Sequence, residues 1–146
     1  MKHYLPEVGT ERVDALFSSE PVAVSFITRV EVASTLARRT REGTLPADER
    51  DRIYQQFLDE LSDMITVTDG QAVIERAADL ARTSAPNAPL RALDAIHLAS
   101  ALVIFEAYPP DDGSNGTFVT ADRQLRRAAE HTGLRVLDPE ACRTHV

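Results

Sequence analysis

The chain has 146 residues, 43% hydrophobic and 27% charged, enough for one domain with a substantial core. Its 16 basic residues against 23 acidic ones give a formal net charge of −7, which argues against a protein that coats duplex nucleic acid by displacing counterions from phosphates. No apolar run approaches the ~20 residues of a membrane span, the first residues carry no apolar signal core, and the lone Cys142 leaves neither an internal disulfide nor a thiol cluster for zinc, so a cytoplasmic location is the default expectation.

In chain order, residues 11–18 predict a short amphipathic helix with Val13, Leu16 and Phe17 on one side, and 21–25 a strand. Residues 28–41 predict a helix stopped by Gly43, and 46–61 a second with Ile53, Phe57, Leu58 and Leu61 at core spacing. The β-branched run 64–67 is a strand, and Asp69 caps a helix reaching Thr83. After a Pro-rich loop, 90–107 is the most apolar helix. Residues 108–116, with two Pro, two Asp and two Gly, form a turn-rich loop. Strand 117–120, helix 122–131 and strand 134–137 close the chain. Strands alternating with helices predict an α/β fold with a parallel sheet covered on both faces. Sites in such sheets form beyond the carboxyl ends of the strands.

Three acidic residues stand out against this frame. Glu31 and Asp122 each follow a predicted strand, and Asp94 interrupts the apolar stripe Leu90, Leu98, Ala101, Phe105. Each has a purely structural alternative. Thr28-Arg29-Val30-Glu31 matches a capping box, and Asp122 stands where an N-cap belongs. Asp94 has Arg91 and His97 as helical neighbours for a local ion pair. His97 reads as a packed or hydrogen-bonded histidine and not as a ligand. Arg38, Arg39 and Arg41 complement a helix C-terminus, with phosphate contact as the alternative. Asp111 and Asp112 read as solvated loop residues and Asp138 as a turn residue. Carboxylates gathered at one sheet edge repel unless a cation holds them, and hard oxygen ligands select Mg²⁺ or Mn²⁺. Clustering should raise at least one carboxyl pKa, that of Asp94 first. No Walker loop, nucleophile elbow or dinucleotide fingerprint is present.

Taken together, His3-Tyr4-Leu5-Pro6-Glu7, the stretch from Val24 to Ala33, Leu93-Asp94-Ala95-Ile96-His97-Leu98-Ala99 and Val119-Thr120-Ala121-Asp122-Arg123 resemble the PIN-domain nucleases, in particular the VapC-like toxins of bacterial toxin–antitoxin pairs. The resemblance covers nearly the whole chain in order, and its specificity lies in the ordered set. It implies a three-layer α/β/α sandwich with a four- or five-stranded parallel sheet. It also implies a Mg²⁺-dependent endoribonuclease (Mn²⁺ substituting) that hydrolyses RNA with metal-activated water and is inhibited by a cognate antitoxin. Glu31, Asp94 and Asp122 fall on the family's second, third and fourth acidic positions, as metal ligands and catalytic residues. The family's first strand and first Asp have no counterpart, so residues 1–146 are expected to form a single PIN-like domain, N-terminally truncated relative to the family. A start placed downstream of the true one accounts for this more readily than a natural truncation.

Two other readings stay open. One is a catalytically impaired PIN-like module that binds an antitoxin or another protein, with a homodimer as one form. The other is a small metal-dependent phosphatase, disfavoured because no Asp nucleophile stands ahead of a small-residue turn.

Overall fold

The computed structural model describes residues 3–4 and 7–141. The element order is α1 (Thr10–Ser19), β1 (Ala23–Ser25), α2 (Thr28–Arg41), α3 (Ala47–Leu61), β2 (Ile65–Val67), α4 (Gly70–Thr83), α5 (Ala92–Ala107), β3 (Thr117–Val119), α6 (Arg123–His131) and β4 (Arg135–Leu137). Each predicted helix and strand is present, and the alternation gives the α/β fold that the sequence implied.

All strand pairing is parallel. Strand β1 pairs with β2 in the register Ala23↔Ile65 to Ser25↔Val67, and β3 with β4 in the register Thr117↔Arg135 to Val119↔Leu137. Among the described residues these are two separate two-stranded ladders, not one continuous sheet. The bonds Ile65 N–H to Val22 O and Thr120 N–H to Leu137 O fix the phase of each ladder. In a parallel pair, alternate residues bond to opposite sides. The main-chain groups of Ala23 and Ser25 therefore point away from β2, and those of Thr117 and Val119 away from β4. The family's first strand has no counterpart among the described residues.

Helix α5 is the spine. Ala95 and Ala99 are small and one turn apart, so they admit Val73 and Ala77 of α4 in close contact, with Val67 of β2 in the same cluster. Leu98, fully buried, packs on the other side with Leu125, Ala128 and Ala129 of α6. Polar atoms add an anchor: Ser100 Oγ donates to Ile96 O at 2.8 Å and lies 2.9 Å from Ser25 Oγ. Both serines are buried, so this contact ties α5 to the carboxyl end of β1. Gly116, just before β3, has φ +88°, and a Cβ there would run into the Phe105 ring of α5. Only glycine lets β3 start this close to the helix.

Helices α2 and α3 build a third cluster from Val32, Leu36, Leu45, Ile53 and Phe57. The segment at His3 and Tyr4 closes over it. His3 Nδ1 lies 2.6 Å from Asp14 Oδ1 and Nε2 2.9 Å from Glu60 Oε2, while the Tyr4 hydroxyl donates to Glu60 at 2.7 Å. Burial and the Glu60 carboxylate raise the Tyr4 hydroxyl above the usual phenol range. No described helix is long and apolar enough to cross a membrane.

Candidate functional site

Asp122 follows β3 and caps α6. Its backbone is extended (φ −71°, ψ 120°), as an N-cap requires, and its Oδ1 accepts from Leu125 N–H at 2.8 Å. The capping alternative is therefore realised. It engages one oxygen and leaves Oδ2 without a hydrogen bond among the described residues.

Asp94 sits differently from expectation. The predicted helix began at residue 90, which would put Asp94 in its interior. Arg91 is instead the N-cap, with extended backbone (φ −78°, ψ 160°), and α5 begins at Ala92. Asp94 thus lies in the first turn, where the helix dipole favours an anion and its carboxylate faces the backbone amide of Arg91. Even so, its pKa is raised. Burial is the main cause and repulsion from Asp122 the next, and the attraction of Arg91 and His97 does not reverse them. Two carboxylates far apart in sequence are thereby brought within electrostatic reach.

Glu31 does not form the capping box. Ile27 is itself helical (φ −75°, ψ −14°), so Thr28 is the first residue of α2 and not its cap, and no side chain caps that end. The Glu31 carboxylate turns to α5 instead, where Oε2 lies 2.5 Å from His97 Nε2. His97 is one helical turn beyond Asp94 on the same side of α5, and its charge acts on Asp94. The sequence reading of His97 as a hydrogen-bonded histidine holds, but its partner was not legible.

All three acids therefore stand in the first turns of helices, or at the cap, two of them at the carboxyl ends of β1 and β3. Several of the other charged residues singled out are engaged elsewhere. Arg39 pairs with Glu7, Arg38 with Glu42 at 3.6 Å, Asp112 with Arg135 at 2.9 Å, and Asp138 with Arg126. Asp138 also accepts from Glu140 N–H at 2.9 Å, the turn contact expected of it.

The family model described as the PIN domain matches residues 1–131. The chain belongs to the PIN-domain family. A search of curated proteins finds no match. This PIN domain carries the family's nuclease-type fold, and the family generally uses divalent metals. Among the described residues no three His, Cys, Asp or Glu side chains form a ready-made metal cage. The chemistry of the donors nevertheless fits a hard divalent cation: Asp94 and Asp122 repel each other, and the third carboxylate, Glu31, bonds to His97, one turn along α5 from Asp94.

Proposed function

We propose that this PIN domain is a Mg²⁺-dependent endoribonuclease, the toxin of a VapC-like toxin–antitoxin pair, with Glu31, Asp94 and Asp122 as metal ligands and Mn²⁺ as a substitute ion. The repulsion between Asp94 and Asp122 at the helix ends supports this reading most directly. A bound divalent ion supplies charge neutralisation for the phosphodiester and lowers the pKa of a water nucleophile. The chain's own groups do the rest. Leu125 N–H fixes one oxygen of Asp122 and leaves the other available to a cation. The first turn of α5 holds Asp94 half-buried, where a carboxylate interacts more strongly with a cation than in open water. Products would carry 3′-hydroxyl and 5′-phosphate ends, as the family resemblance implies. An antitoxin arginine placed among these carboxylates would replace the cation's charge and silence the site.

The second reading, a binding module without catalysis, draws on the lack of a three-residue cage among the described residues. Incubating the purified chain with single-stranded RNA in Mg²⁺, in Mn²⁺ and in EDTA separates the two. Cleavage that needs the ion and disappears in Asp94→Asn supports the nuclease. Binding of a co-purifying small antitoxin with no cleavage in either metal supports the module.

A further inference from the structure

We propose that His97 is a positioning residue whose imidazole holds the Glu31 carboxylate at the Asp94 end of α5. This inference rests on the reading of Glu31, Asp94 and Asp122 as a cation site. Glu31 lies on α2, whose buried residues Val32 and Leu36 pack with α3, while α5 is buried in the two other core clusters. Ser25 and Phe26 seat the entry to α2 against α5. No buried residue of α2 itself shares a core cluster with α5, so the core does not fix the direction of the Glu31 side chain. Among the described residues, the His97–Glu31 contact is the one side-chain hydrogen bond or ion pair that joins α2 to α5.

Its direction follows from chemistry. A carboxylate only accepts, so Nε2 carries the proton and donates to Oε2 across 2.5 Å. His97 lies three residues beyond Asp94, about 4.5 Å along the helix axis. The imidazole that pins Glu31 is thereby about one turn from Asp94. Both partners remain partly exposed, with side-chain exposures of 26% and 35%, so the contact contributes little to folding stability. Its consequence is the placement of Glu31. Ligands of a metal are commonly held by such outer partners, and losing one weakens metal affinity about 10- to 100-fold.

The test is calorimetric titration with Mn²⁺ of the full chain and of His97→Ala, His97→Gln, Glu31→Gln and the double variant Glu31→Gln/His97→Ala. His97→Ala should bind Mn²⁺ about 10- to 100-fold more weakly. His97→Gln, whose amide N–H reaches to a similar point, should recover most of that loss. Glu31→Gln should also weaken binding, and adding His97→Ala to it should cost nothing further, because His97 acts through Glu31. A purely structural histidine would add its loss to that of Glu31→Gln, and that additive result would overturn the inference. So would a His97→Ala variant that binds Mn²⁺ as tightly as the unaltered chain, or more tightly, since tighter binding would make the imidazole a competitor for Glu31. If the unaltered chain itself binds no Mn²⁺, the cation-site reading falls and the role of His97 falls with it.

Discussion

Asp122 does two things that a pair of substitutions can separate. It caps α6 through Oδ1, and its negative charge faces Asp94. In Asp122→Ala both are lost. Losing an N-cap costs about 1 kcal/mol, within a range of about 0.5–2, and for a chain of 146 residues that lowers the melting temperature by about 2–4 °C. In Asp122→Asn the cap survives, because asparagine accepts from the N2 or N3 amide about as well as aspartate. The charge is gone, and with it the repulsion on Asp94. Asp122→Asn should therefore melt at or slightly above the temperature of the unaltered chain in EDTA. Both variants should lose the upward shift that Mg²⁺ gives, which reaches about 2.7 kcal/mol at a hundredfold excess over Kd. Both should also lose RNA cleavage by roughly 10²-fold or more, the scale of removing one transition-state electrostatic group. Differential scanning fluorimetry with and without Mg²⁺, and cleavage of a labelled RNA, read the two effects independently. An Asp122→Asn variant that keeps full cleavage would refute the catalytic role. One destabilised as much as Asp122→Ala would refute the separation of cap from charge.

The remaining predictions concern charge and packing. Burial and Asp122 hold the Asp94 carboxyl above its ordinary range, so the metal-free folded chain binds that proton more readily than the unfolded one. Its contribution to stability accordingly weakens as pH rises from the unfolded through the folded pKa, and Asp94→Asn should flatten that dependence and raise the neutral-pH melting temperature in EDTA; a lowered one would contradict the sign. Phe57→Ala, at a fully buried side chain of α3 that packs with Val32 and Leu36 of α2, should cost about 3–5 kcal/mol in urea unfolding without changing the m-value. Gly116→Ala should cost about 1–3 kcal/mol through its positive φ and the Phe105 ring, and Phe105→Leu in the same chain should recover part of the loss.

The alternation of strands and helices was legible because each short apolar run and each helical stripe carries its own period. The Asp69 and Asp122 caps were legible for the same reason: a cap acts on the amide three residues ahead, and both accept it, from Ala72 and Leu125. The capping box at Thr28 failed because the state of Ile27, helical rather than extended, decides whether Thr28 is a cap. That state depends on how the chain leaves β1, and the four-residue motif does not contain it. The start of α5 slipped by two residues because Arg91 takes an extended N-cap backbone that the apolar period does not encode, and Asp94 moved from a buried stripe to a half-buried first turn. The His97–Glu31 contact spans 66 residues, and no local pattern could announce it. The division of the strands into two ladders was likewise invisible, since strand patterning does not say which edges meet.

On the proposed reading, Glu31, Asp94 and Asp122 share one divalent ion. Diffraction from crystals of the chain soaked in Mn²⁺, recorded at the manganese absorption edge, tests it most directly. A shared site gives an anomalous peak bounded by oxygens of all three carboxylates, at the ~2.1 Å of hard divalent ligation. A peak elsewhere on the surface, or none between Asp94 and Asp122 at millimolar Mn²⁺, would contradict it.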